Sequence, residues 1–154
     1  MSELKIGDNA PDFNSVDQDG NPLRLKDFKG QKVILYFYPK DNTPGCTAES
    51  CDLSENYDFW VSKGFDVVGV SPDSASSHQK FIEKFGLKFN LIADTEKKIL
   101  QDYGVWGEKM NYGKAYMGVI RTTFVINEAG VIEKIFRKVE TKTHTEQIVK
   151  ELKF

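Results

Sequence analysis

The stretch Lys32 to Cys46, KVILYFYPKDNTPGC, decides how this chain is read. Its first half is a continuous apolar run rich in β-forming residues, closed by Pro39. A strand without polar alternation is one buried on both faces, as in a sheet covered by helices. Its second half opens a helix. Thr43 suits an N-cap, Pro44 the first helical position and Gly64 the stop, so a helix is predicted from Thr43 to Gly64.

Outward from this unit the same signals repeat. Upstream, FNSVD and LRL flank QDGNP, whose turn residues predict an N-terminal β-hairpin. Downstream, FDVVGVSPD reads as a second buried strand, and SASSHQKFIEKFG as a helix with Phe81, Ile82 and Phe85 at helical spacing and Gly86 at its end. NLIAD is a short strand and TEKKILQDYG a short helix. IRTTFVINEAGVIEKIFRKV reads as strand, turn and returning strand, and THTEQIVKELK as an amphipathic closing helix. Strands alternating with helices imply a largely parallel central sheet, to which the last hairpin adds antiparallel strands. The expected fold is a three-layer α/β sandwich of the thioredoxin-like class, in one domain spanning residues 1–154.

The chain has 154 residues, 40% hydrophobic and 29% charged, and a net charge of -2. That balance gives no reason to expect nucleic acid or an anionic membrane as a partner. The longest apolar run is far short of a membrane span, and MSELKIGDNAPDF has no secretory pattern. Two cysteines do not make a secreted disulfide scaffold, so a reducing cytoplasm is expected.

Both cysteines, Cys46 and Cys51, lie in the predicted helix. With Thr43 as N-cap, Cys46 is the third helical residue and faces free N–H groups and the positive end of the helix dipole. Such surroundings favour a thiolate. Ionising an ordinary thiol fully at pH 7 gains only roughly 30-fold, whereas enzymes need about 10⁶-fold or more. Something must also stabilise charge in the transition state. Thr43, one turn earlier, and the nearby Lys40 are candidates by position. Arg121 is more informative, because it opens the apolar strand RTTFVI, where a charge belongs only at an end. If that strand lies beside KVILYFYP, its guanidinium reaches the Cys46 site.

PKDNTPGC also fits the peroxiredoxin pattern P-x-x-x-[TS]-x-x-C as Pro39, Thr43 and Cys46. CTAESC resembles the bacterioferritin comigratory protein/peroxiredoxin Q subfamily. The resemblance extends to GDNAPDF, GVSPDS and YGVWGEKMNYGKAYMGVIRTTFVI. It implies a thiol peroxidase without cofactor or metal. Cys46 would attack a hydroperoxide and become a sulfenic acid, and Cys51 would resolve it to a disulfide. Thioredoxin, or a glutaredoxin-like dithiol, would reduce that disulfide. The resemblance further implies that Thr43 and Arg121 activate the thiolate and the peroxide, that Pro39 shields the site, and that Glu49 orients Arg121. A monomer is expected, with a dimer left open.

Other readings remain at this point. The cysteines could be inert core residues, or the pair of a redox sensor that does not turn over. A zinc site needs about four ligands at short spacings, whereas His78 and His144 lie far from the cysteines on different helices, and a thioredoxin-type oxidoreductase would carry C-x-x-C. A cysteine hydrolase lacks a histidine placed as base. His78 and His144 read as surface residues at helix starts, and Tyr57, Phe59 and Trp60 as packing. Trp106, Met110, Tyr112, Tyr116 and Met117 read as packing, with a pocket wall or a partner surface as the alternative.

Overall fold

The computed structural model describes residues 3–153. At its centre, β3 (Lys32–Phe37), β4 (Phe65–Ser71) and β5 (Asn90–Ala93) run parallel, β8 (Thr122–Ile126) runs antiparallel to β3 and β9 (Ile132–Phe136) antiparallel to β8, in the order β5-β4-β3-β8-β9. This is the mixed sheet of a thioredoxin-like α/β fold. β1 (Asn14–Val16) and β2 (Pro22–Arg24) form the expected N-terminal hairpin.

Side chains along β3 explain both the apolar run and the layers. Val33, Leu35 and Phe37 enter one core with Phe13, Phe28 and residues of α4 (Lys98–Asp102). Ile34, Tyr36 and Tyr38 enter the other, under α1 (Pro44–Glu55), α2 (Tyr57–Ser62), α3 (Ala75–Phe85) and α5 (His144–Leu152). Successive residues of a strand face opposite sides, so covering both sides demands apolar residues at every position. Helix ends follow local chemistry. Ser74 accepts the Ser77 amide at 3.1 Å to start α3, and Gly86, at φ 64°, ends it in the left-handed region.

Three expectations need correction. The helix from Thr43 to Gly64 is two helices broken at Asn56. The Asn56 side chain donates to the Asp52 carbonyl at 2.8 Å, and its backbone leaves helical geometry at ψ 12°. Short amides compete in this way for backbone partners. In the stretch from Trp106 to Met117 only Trp106 packs, half-buried, against the core. Trp106–Asn111 (β6) and Lys114–Val119 (β7) form a separate antiparallel hairpin, with Met110, Tyr112, Tyr116 and Met117 exposed. Finally, His78 and His144 are fully buried, not surface residues. His78 shares a helical stripe with Phe81, Ile82 and Phe85, and His144 shares one with Ile148 and Leu152.

Candidate active site

Cys46 is the third residue of α1 and is completely buried, its sulfur part of the helix-side core. The β3–β8 register sets Thr122 opposite Phe37, so Arg121 emerges just beyond the end of β3. Its Nη2 donates to Cys46 Sγ at 3.3 Å and its Nη1 to Glu49 Oε1 at 2.7 Å. One guanidinium fork therefore joins the sulfur to a carboxylate one helical turn further along α1. Burial works against the charge of Arg121, but Glu49 and the sulfur outweigh it and hold its pKa above the ordinary value. Glu49 is itself fully buried, and burial pushes its carboxyl up to about 7 despite Arg121.

Gly45 makes the approach possible. A Cβ at this position would lie 3.2 Å from Arg121 Nη2. Thr43 is the N-cap residue of α1, but its hydroxyl donates to the Lys40 carbonyl at 2.8 Å and makes no cap bond. That leaves the oxygen's lone pairs, and no donor, for the site. Pro39 is half-buried and Lys40 exposed. Cys51, on the same helix, is half-buried, and burial followed by the Glu55 charge raises its thiol pKa. Both cysteines are free thiols. Five residues of helix rise about 7.5 Å and set the Cα atoms about 8–9 Å apart, beyond the ~7 Å reach of a disulfide.

Two buried networks that the sequence reading missed brace this corner. Asp41, in the loop before α1, accepts from Tyr38 (2.6 Å) and Ser77 (2.8 Å) and meets His78 Nδ1 at 2.7 Å. His78 Nε2 donates to the Ile92 carbonyl at 2.9 Å, which ties the loop to α3 and β5. Asp41, Asp73 and His78 bring their ligand atoms within 4.8 Å of one another, the spacing of a cation site. The hydrogen bonds they make to each other and to the hydroxyls of Tyr38, Ser71 and Ser77 already account for that clustering. On the other side, Asp52 accepts the Thr145 amide at 2.7 Å and so caps α5 from α1. Tyr36 hydrogen-bonds Ser50 at 2.7 Å, its ring lying where a Cβ on Gly69 would come within 2.8 Å.

A thiol at a helix start, touched by a guanidinium that a carboxylate holds in place, is built to stabilise negative charge on sulfur and on an adjacent oxygen. The AhpC/TSA family model matches residues 6–135. The chain belongs to the AhpC/TSA family, as a peroxiredoxin of the Bcp/PrxQ type. It is 43% identical to Peroxiredoxin Bcp of Bacillus subtilis over 150 residues, covering 97% of this chain and 96% of the relative. It is also 43% identical to Peroxiredoxin Bcp of Escherichia coli over 153 residues, covering 99% and 98%. A solved structure of a Xylella fastidiosa PrxQ mutant superposes with a TM-score of 0.92 at 31% identity, covering 99% of this chain and 98% of that one. Membership makes this peroxiredoxin an oxidoreductase with peroxidase activity. Among its described residues, no helix is long and apolar enough to cross a membrane.

Proposed function

We propose that this peroxidase acts through Cys46 and is resolved by Cys51. The Cys46 thiolate attacks one oxygen of a hydroperoxide. The S–O bond forms as the O–O bond breaks, sulfur is oxidised to a sulfenic acid, and the leaving oxygen takes a proton to depart as water or an alcohol. The Cys51 thiolate then attacks the sulfenic sulfur: the S–S bond forms as the S–O bond breaks, and the hydroxide that leaves takes a proton to become water. An external dithiol, thioredoxin or a glutaredoxin-like protein, reduces it by exchange. Arg121 activates the thiolate and polarises the peroxide, Glu49 holds Arg121, and Pro39 limits water. Thr43 offers its oxygen as acceptor to the peroxide hydrogen. The protein works as a monomer in the cytoplasm as an antioxidant enzyme.

The observation that carries the reading is the 3.3 Å contact of Arg121 Nη2 with Cys46 Sγ. A redox sensor needs a reactive thiol but has less use for a fixed cation placed to receive charge from a leaving oxygen. Turnover decides between them. The purified protein should consume hydrogen peroxide stoichiometrically alone and continuously with a thioredoxin system. Stoichiometric consumption in both cases refutes the peroxidase cycle.

A further inference from the structure

Glu49 uses one of its two oxygens in the site described above. Oε1 accepts from Arg121, whereas Oε2 is buried and has no hydrogen-bond partner among the described residues. A buried polar atom left unpaired is costly and calls for an explanation. His144 Nε2 lies 3.7 Å from it, on a side chain that is also fully buried.

The protonation of His144 follows from its neighbours. The Gln147 amide is oriented by two backbone groups: Nε2 donates to the Lys138 carbonyl at 2.8 Å, and Oε1 accepts the Glu140 amide at 3.0 Å. Oε1 therefore faces His144 Nδ1, at 2.9 Å, and Nδ1 carries the hydrogen. Burial above all lowers the imidazole pKa to about 4, so the ring is neutral near pH 7. Nε2 is then bare and accepts the Thr123 hydroxyl at 2.8 Å. Two lone-pair atoms, Glu49 Oε2 and His144 Nε2, face each other inside the protein. They repel when Glu49 is ionised; when Oε2 bears a proton they attract, and Oε2–H competes with the Thr123 hydroxyl for the single lone pair of Nε2.

We propose that Glu49 and His144 share one exchangeable proton, whose presence sets how much of the Arg121 charge is left for the Cys46 sulfur and an incoming peroxide. With the proton in place Glu49 is neutral and the guanidinium charge is undivided. Without it the carboxylate neutralises Arg121. His144 touches neither sulfur nor substrate and is a positioning residue acting through Glu49. The charged and titratable groups around Glu49 are Arg121, the Tyr36 phenol of β3, Cys46 and Asp52 of α1, and His144 of α5. Around His144 stand Glu49, Arg121, Gln147, the Thr123 hydroxyl and the Phe136 ring, set at 88° to the imidazole. The carboxyl is raised, to about 7, so the proton is held below that pH and lost as pH rises through it.

This inference rests on the proposed role of Arg121, so its test is made independent of turnover. The reduced full chain, labelled with nitrogen-15 at histidine, is titrated from about pH 5.5 to 9 by long-range proton–nitrogen spectroscopy. Two histidines keep the spectrum simple. His144 should appear as the Nδ1–H form, with an Nε2 shift that steps near pH 7 as Glu49 ionises. The step should persist in Cys46→Ser and vanish in Glu49→Gln. A flat Nε2 shift in the wild type and in Cys46→Ser, or the same step in Glu49→Gln, overturns the proposal. The wild-type and Cys46→Ser spectra decide it alone if Glu49→Gln does not fold. In kinetics, the rate of Cys46 oxidation per thiolate should fall across the same pH window and stay level in Glu49→Gln. His144→Phe, which removes Nε2, should move the midpoint, and an unmoved midpoint refutes the role of His144. Absence of peroxidase activity would count against the functional proposal and leave the spectral result standing.

Discussion

Replacing Arg121 by alanine tests rate and stability at once, and the two should separate. The guanidinium is a charged donor 3.3 Å from the sulfur, and in the proposed mechanism it receives the negative charge that shifts as the O–O bond breaks. Removing one such donor costs about 10²–10³ in rate, or about 2.7–4 kcal/mol. Stability answers to Glu49. Its folded-state pKa is about 7, against an ordinary 4.5, so the folded protein binds the extra proton between those values. Stability is therefore lost as pH rises through that window, by about 3 kcal/mol in all. Without Arg121 nothing opposes the burial of Glu49, its carboxyl climbs further, and the loss extends to more alkaline pH. Arg121→Ala should be destabilised far more at about pH 8 than at about pH 5 in denaturant titrations. Adding Glu49→Gln should level the pH dependence without restoring the rate. Stopped-flow measurement of Cys46 oxidation supplies the rate. An Arg121→Ala enzyme oxidised as fast as the wild type, or a double variant that regains the rate, refutes the reasoning.

Other variants probe the remaining parts of the site. Cys51→Ser should still form a sulfenic acid, trapped by a dimedone-type reagent, and should give no disulfide within the monomer by mass spectrometry. Gly45→Ala should change stability little, since alanine's helix preference of up to about 1 kcal/mol offsets the crowding of Arg121. It should nevertheless oxidise more slowly, because its Cβ would lie 3.2 Å from an Arg121 nitrogen that Glu49 and Cys46 hold in place. Equal rates would show that the guanidinium has room to spare. Gly69→Ala would set a Cβ 2.7 Å from Leu91 Cδ2 and 2.8 Å from Tyr36 Cζ. Overpacking of that kind costs about 1–3 kcal/mol, and a thermal melt unchanged from wild type would contradict it.

Much of this was legible in the sequence. The strand Lys32–Phe37, the entry of α1 and the hairpin around Asn127–Gly130 declare themselves by local chemistry, and Arg121 stood out as a charge at the edge of an apolar strand. What stayed hidden was long-range or polar. The exposed β6–β7 hairpin carries aromatic residues and methionines that suggest burial by composition alone. His78 and His144 lie on apolar helical stripes, a position that histidine's usual surface habit masks. The braces from Asp41 to His78 and from Asp52 to Thr145 join residues 37 and 93 positions apart, which no local pattern announces.

The cap that Asp52 places on α5 bears on how readily the enzyme gives up its disulfide in the proposed cycle. α1 cannot stay helical between Cys46 and Cys51 while the sulfurs are bonded. Whatever α1 gains by being ordered between those residues therefore accrues to the dithiol form alone, and Asp52, next to Cys51, links that order to the first turn of α5. For a two-electron couple, each ~1.4 kcal/mol favouring the dithiol raises the reduction potential by about 30 mV. Helix order in α1 thus acts as a voltage setting. A firmer helix makes the oxidised enzyme a better acceptor of electrons from its dithiol donor, and a looser one leaves the disulfide to linger.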